Sequence, residues 1–245
     1  MSTKKNPTYP KVSVVIPAYN EEKALPKCLE SVMNQKGAST KNEEGKIYYE
    51  VIVVDNNSKD KTAEIAEKVG ARVISEFCQG VVFAFEKGFR AVKSDIVLMT
   101  DADTIVSSSW IKRIYEEYKK NNKVVGVAGG FDYDRKGIYW YLLSRVMMAN
   151  FWLLTTSSGY NMSYRKSALA KVGGINTGVN LGSDVDIFQR LKKVGKCKYI
   201  PSIKVITSGR RFEKPEFNYV VKSIITYYRL VIFKKAEFQD FKHIR

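Results

Sequence analysis

Several short polar segments of this sequence stand where chemistry could be done. Asp101-Ala102-Asp103 follows the apolar run Ile96-Val97-Leu98-Met99-Thr100, so two carboxylates one residue apart leave a buried strand together. Such a pair supplies hard oxygen ligands suited to Mg²⁺ or Mn²⁺ holding a diphosphate. Asp55-Asn56-Asn57-Ser58 closes the run Glu50-Val51-Ile52-Val53-Val54, where the Asp55 carboxylate can accept hydrogen bonds from a base or ribose. In the same turn Ser58 or Asp60 suits the N-cap of the helix that follows. Pro17-Ala18-Tyr19-Asn20-Glu21 ends a third apolar run, Val12 to Ile16. A lone acidic pair is most often surface decoration, but three polar strand ends along one sheet edge predict a site.

The composition narrows the chemistry. The chain has 245 residues, 44% hydrophobic and 27% charged, which suits one large domain, or a domain with a short appendage, and excludes a disordered or collagen-like chain. The single histidine, His243, is two residues from the end, so catalysis is expected to run on carboxylates, a metal, or both. The three cysteines, Cys28, Cys78 and Cys197, lack CxxC spacing and predict neither a disulfide framework nor a zinc site. A net charge of +16 predicts attraction to phosphates, acidic headgroups or nucleic acid. The opening MSTKKNPTYPK has no apolar segment behind it long enough for a signal peptide, and no run reaches the roughly 18 apolar residues of a membrane span. The expected location is cytoplasmic, with attachment to the inner face of the cell membrane left open.

Apolar runs alternate with helical spacing over the first hundred residues. Strands are predicted at Val12–Ile16, Glu50–Val54, Arg72–Ser75 and Asp95–Thr100, and helices at Glu21–Gln35, Thr62–Val69 and Val81–Lys93. This β-α-β-α order predicts a mostly parallel, doubly wound α/β sheet flanked by helices, with ligands at the carboxyl ends of its strands. Residues 36–47 read as a polar, mobile loop. Further on, strands are expected at Val124–Phe131, Gly159–Tyr164 and Cys197–Thr207, and a helix at Ser183–Val194 in which Ser183 would cap and Asp184 and Asp186 complement the positive end. From Pro215 the pattern is helical and basic.

The segments Ser13–Glu22, Glu50–Thr62 and Asp95–Asp103 resemble, in order and spacing, family 2 glycosyltransferases of the GT-A fold, and the likeness runs from about Lys11 to Phe212. The resemblance implies a catalytic domain over 1–212, with a nucleotide-sugar half near 11–105 and an acceptor half near 106–212, followed by a basic amphipathic helical tail at 213–245. It also implies a metal-dependent, inverting transfer of a sugar from a nucleotide diphosphate, UDP-linked by default and GDP-linked as the competitor. Pro17, Ala18, Tyr19 and Glu21 match the family's first nucleotide-contacting loop, and Asp55 its base-recognising position. Ala102 lies in the nucleotide-binding motif between Asp101, matched to the carboxylate near ribose and metal, and Asp103, matched to the direct metal ligand. Ser183-Asp184-Val185-Asp186 is similar to the family's Glu-Asp-x-Asp segment; Ser183 replaces its first acid, Asp184 takes the general-base position, and Asp186 is expected to be structural. Arg210 and Arg211 stand where relatives place a cationic or metal-binding residue, and could hold the diphosphate bidentately. Phe85 falls where many members carry a basic residue.

The expected partners are a nucleotide-sugar donor and a glycan or polyprenyl-phosphate acceptor, and not nucleic acid, since a phosphate backbone avoids clustered aspartates. Two aromatic–basic segments bear on the acceptor. Ile138–Met148 reads equally as a helix packed on the core or as a greasy surface for a lipid-linked acceptor or bilayer edge. Phe217–Phe233 suits docking on its own domain, dimerisation, or a headgroup layer. Two other classes compete with sugar transfer. Nucleotidyl transfer would use the same sheet but a basic first loop, and a basic nucleic-acid-binding protein is suggested by charge alone.

Overall fold

The computed structural model describes residues 9–179 and 181–212, apart from the side chain of Arg211, so the predicted tail at 213–245 lies outside the described residues. Over them the chain forms β1 (Val12–Ala18), α1 (Leu25–Met33), β2 (Ala38–Ser39), β3 (Ile47–Asp55), α2 (Thr62–Lys68), β4 (Arg72–Ser75), α3 (Val81–Ala91) and β5 (Ile96–Met99). There follow β6 (Ile105–Val106), α4 (Trp110–Lys120), β7 (Val124–Tyr133), α5 (Ile138–Leu154), β8 (Met162–Arg165), α6 (Lys166–Lys171), α7 (Ser183–Leu191) and β9 (Lys196–Thr207). The strands build one mixed nine-stranded sheet in the order β2-β3-β1-β5-β8-β7-β9-β6, with β4 also on β3.

The apolar runs become strands buried on both faces, as a parallel sheet covered by helices requires. β1 pairs in parallel with β3 and with β5, and the register sets Ala18 opposite Asp55 and Val15 opposite Met99. The three polar segments therefore leave the sheet at neighbouring points of one edge. α3 lies directly on this layer, because a Cβ on Gly88 would come within 2.5 Å of Val15 Cγ1 and only glycine permits the approach. The parallel order breaks at β8, which runs antiparallel to both β5 and β7. β7 and β9 then run parallel, and β9 ends beside the same edge.

Some local expectations are corrected. The helix predicted from Glu21 starts at Leu25, with Pro26 in its first turn, because residues 20–24 are held as turns against the next loop. The strand expected over Gly159–Tyr164 begins only at Met162, and Gly159–Asn161 form a single 3₁₀ turn. The helix expected to reach Val194 ends at Leu191, and its N-cap is Gly182 at φ +80°, with Ser183 already inside the first turn. Ala38–Ser39, inside the expected loop, pair with Ile47–Tyr48. Helices α4 and α6 and strand β6 had no counterpart in the sequence reading.

α5 packs one face on the core and turns an apolar face outward. Ser144, Met148 and Phe151 are buried on the core, while Ile138, Leu142, Val146, Trp152 and Leu153 face outward and are at least half exposed. Among the described residues no helix is long and apolar enough to cross a membrane.

Candidate active site

Two of the polar segments are sewn to each other by hydrogen bonds. The backbone N–H groups of Asn20, Glu21 and Glu22 donate to Ser58 Oγ (2.9 Å), Thr62 Oγ1 (2.7 Å) and Asp60 Oδ2 (3.1 Å). In return the Lys59 N–H donates to Asn20 Oδ1 at 2.7 Å. Asn20 and Asn57 take left-handed backbone at φ 49° and 69°, which asparagine tolerates in tight turns. Asn20 thus ties the two loops together. The N-cap of α2 is Lys61, not Ser58 or Asp60, and no side chain caps it. Asp60, one residue earlier, braces the turn instead, its Oδ1 accepting from the Thr62 N–H at 3.0 Å. Thr62 and Asp60 also hold the polypeptide at Glu21, which places that carboxylate.

Pro17 and Ala18 close β1 opposite Val54 and Asp55, and the Ala18 carbonyl accepts from the Asn56 N–H at 2.8 Å. Tyr19 follows, half-buried. Asp55 ends β3 with its Oδ1 buried and without a hydrogen-bond partner. A buried, unpaired carboxylate oxygen is costly, and a base or ribose donor is the kind of group that would satisfy it. The neighbouring Asn56 is buried and carries the third loop: its Nδ2 donates to the carbonyls of Glu76 (3.0 Å) and Cys78 (2.6 Å), and its Oδ1 accepts from the Gly80 N–H (2.8 Å).

Asp101, Ala102 and Asp103 turn immediately after β5, with Ala102 buried and both carboxylates half-buried. Thr104 fastens this turn: its N–H donates to the Asp101 carbonyl (3.1 Å), and its hydroxyl bonds Thr207 Oγ1 at the end of β9 (3.0 Å). Just beyond Thr207, Arg210 reaches back over the edge. Its guanidinium bonds both carboxylate oxygens of Glu21 and lies 3.0 Å from Asp103 Oδ2. Burial opposes the charge on Arg210, but the bond to Glu21 and the fields of Asp103 and Asp101 more than offset it and hold the pKa above the ordinary value. Cys28 lies beneath the turn, its thiol 3.4 Å from the Asp101 carbonyl. Burial first, then the charges of Asp103, Asp101 and Glu21, pushes that thiol's pKa far up. It is a packed, unreactive thiol.

Asp184 comes to the same place from the other half. Its Oδ2 accepts from the Gly159 N–H at 2.8 Å and its Oδ1 from the Val185 N–H at 2.9 Å. Gly159 in turn faces Asp101, since a Cβ there would stand 3.7 Å from Asp101 Oδ1 and 3.4 Å from the Phe85 ring. Asn161 fixes this turn, its amide donating to the carbonyls of Gly130 (2.7 Å) and Ile203 (2.8 Å) and accepting from the Trp110 indole (2.9 Å). Asp186 pairs with Arg190 one helical turn on, at 2.6 Å, the structural role expected of it. The structure therefore gathers Glu21, Asp101, Asp103, Arg210 and Asp184 on one edge. The side chain of Arg211 lies outside the described residues.

Among the described residues no three acidic, cysteine or histidine side chains converge to hold a metal by themselves. Two carboxylates at a strand end nonetheless fit Mg²⁺ or Mn²⁺, which are held by one or two carboxylates with water and substrate phosphates completing the shell. In this structure the cation beside Asp103 is the Arg210 guanidinium, 3.0 Å from its Oδ2.

The family model for Glycosyl transferase family 2 matches residues 13–191. A dolichyl-phosphate beta-glucosyltransferase of Trichomonas vaginalis is 29% identical over 60% of this chain and 48% of its own length. An undecaprenyl-phosphate 4-deoxy-4-formamido-L-arabinose transferase of Pseudomonas fluorescens is 33% identical over 49% of this chain and 35% of its own. These matches thus span less than half of either relative. In three dimensions the chain is similar to a mannosyltransferase of Pyrobaculum calidifontis in complex with GDP-Man and Mn²⁺, with TM-score 0.69 and 20% identity over 94% of this chain and 66% of that one. It is also similar to a glucosyl-3-phosphoglycerate synthase of Mycobacterium tuberculosis in complex with Mn²⁺, UDP-glucose and phosphoglyceric acid, with TM-score 0.65 and 18% identity over 92% and 79%.

Proposed function

The chain belongs to glycosyl transferase family 2, and on that premise we propose that it moves a sugar from a nucleoside-diphosphate sugar, UDP-linked by preference and GDP-linked as the competitor, to a lipid-linked or glycan acceptor with inversion at the anomeric carbon. The observation that carries this reading is the meeting of two carboxylates from opposite halves of the chain, Asp101 and Asp184, on either side of Gly159. One side of that point is lined by diphosphate and metal chemistry, the other by a carboxylate that can take a proton.

In this reading Asp55 bonds the base through its buried, unpaired oxygen, while Pro17, Ala18 and Tyr19 form the wall beside it. Asp101 and Asp103 would hold Mg²⁺ or Mn²⁺, which takes up charge developing on the leaving diphosphate. Both solved relatives were captured with Mn²⁺ and a nucleotide sugar, which supports the metal and the donor class. Asp184, its orientation set by Gly159, removes the proton of an acceptor hydroxyl as oxygen attacks opposite the nucleotide. An acceptor that is already an ionised phosphate has no proton to give up, and attack from the opposite side then gives the same stereochemistry.

Thermal unfolding with UDP-, GDP-, CMP- and dTDP-linked sugars, each with and without Mn²⁺, tests the donor. A ligand at about 100 times its Kd stabilises by about 2.7 kcal/mol, or several degrees for a chain of this size. A Mn²⁺-dependent shift with one nucleotide class is expected. A shift with none of them removes the donor assignment.

The chain leaves α5 at Thr155 and four residues later reaches Gly159, whose N–H bonds Asp184. In this reading a lipid acceptor lying on the outward face of α5 would bring its head toward the base. On this reading the face meets the bilayer, which accounts for so many apolar side chains turned to water. Trp152→Glu with Leu153→Glu is expected to weaken sedimentation with phosphatidylglycerol vesicles by about tenfold or more, since each large side chain contributes about 1.5–3 kcal/mol on leaving water. Unchanged binding by the double variant places the membrane contact elsewhere.

A further inference from the structure

Arg210 spans two carboxylates that other strand ends supply. Nη1 donates to Glu21 Oε2 at 3.1 Å, Nη2 bonds Glu21 Oε1, and Nη2 also stands 3.0 Å from Asp103 Oδ2. The two carboxylates differ in freedom. Glu21 is only 8% exposed, and its backbone is pinned to Thr62, so its charge needs a permanent partner. Asp103 sits in the turn that the family reading gives to the metal. A guanidinium and a divalent cation cannot share one carboxylate oxygen at bonding distance without repelling each other.

The surroundings of Arg210 allow its side chain to move while its backbone stays. The Gly209 N–H donates to Asp134 Oδ1 at 2.8 Å, and a Cβ on Gly209 would come within 2.8 Å of the Trp140 ring. On the other side Phe212 packs edge-on against Tyr133 at 5.6 Å. The Arg210 side chain itself is 53% exposed. It is a long arm on a fixed mount.

We propose that Arg210 is the resident counter-ion of Asp103 and competes with the divalent metal for it, releasing Asp103 when a diphosphate gives the guanidinium a new bidentate partner. The inference rests on the family reading of the donor site. Its consequence is thermodynamic: metal and nucleotide bind weakly apart and strongly together, and Arg210 is the coupling element.

The test is Mn²⁺ affinity, read from the free-ion electron paramagnetic resonance signal, for wild type, Arg210→Met and Arg210→Lys, alone and with UDP or GDP. Without nucleotide, Arg210→Met is expected to bind Mn²⁺ about tenfold tighter than wild type, and with the nucleotide that advantage disappears or reverses. Arg210→Lys keeps the charge but lacks the planar fork, so it should follow Arg210→Met if the guanidinium occupies the oxygen. If it follows wild type, only the field of the charge matters and the competition is overturned. Equal or weaker Mn²⁺ binding by Arg210→Met overturns it too, as does failure of all three proteins to bind Mn²⁺. Tighter metal binding by both variants, with no effect of UDP or GDP on any protein, upholds the competition and removes the donor reading. Unfolding temperatures measured in parallel show that each variant is folded.

Discussion

Asp103→Asn is expected to lower sugar transfer by about 10³-fold, the scale on which removal of one charge-stabilising group acts at a leaving group. The change keeps the shape of the side chain and removes the charge that faces Arg210 at 3.0 Å. Arg210 retains its bonds to Glu21, so the fold and unfolding temperature should hold. The measurement is initial rate against Mn²⁺ concentration with the donor identified by thermal shift. A variant that turns over at the wild-type rate with the same metal dependence would show that the turn after β5 does not carry the metal.

The second large effect is at the other carboxylate. Asp184→Asn is expected to lower kcat by about 10²–10⁴-fold with a hydroxyl acceptor, the range for loss of a positioned general base. Asparagine Oδ1 can still accept from the Gly159 N–H, so that turn should stay in place, while the amide NH₂ gives up the bond from the Val185 N–H in the first turn of α7. Donor KM should change little, because the proton transfer belongs to the transition state. The same variant sorts acceptors: with a phosphate acceptor the loss should be far smaller, since there is no proton to remove. A hydroxyl acceptor that reacts at the wild-type rate would rule Asp184 out as the base.

Much of the polar sheet edge was legible because its signal is local. Asp55 and Asp101 each end a run of β-branched or apolar residues, and a strand that stops at a carboxylate places it at the sheet edge whatever the rest of the chain does. The resemblance to family 2 glycosyltransferases was legible for the same reason, as its motifs are strand ends. Arg210 was legible only as one of two adjacent arginines, since its direction depends on a 3₁₀ turn. Asn56, Thr104 and Asn161 were not legible at all. Each is an ordinary polar residue whose work consists of bonds to segments 20 to 103 positions away, and no spacing marks such bonds. Glu21 was expected at the nucleotide, and in the fold its carboxylate is taken by a residue 189 positions later. α4 was a different kind of miss. Trp110, Ile111, Ile114 and Tyr118 recur at helical spacing and are all buried, so the pattern was present in the sequence.

The strand that breaks the parallel order has a bearing on how the chain comes to be made. β8 contributes only Met162–Arg165, yet it hydrogen-bonds β5 on one side and β7 on the other. As the chain emerges from the ribosome, β1, β3 and β5 can pair in sequence, but Ile96–Met99 keeps one bare flank until some sixty further residues have been synthesised. An uncovered, wholly apolar flank is a template for pairing with another nascent copy. β8 ends that interval by covering the bare flank of β5 and one flank of β7 at once, and the turn it grows from holds Gly159 and Asn161. The step that removes the hazard of aggregation is also the step that carries Gly159 to Asp101.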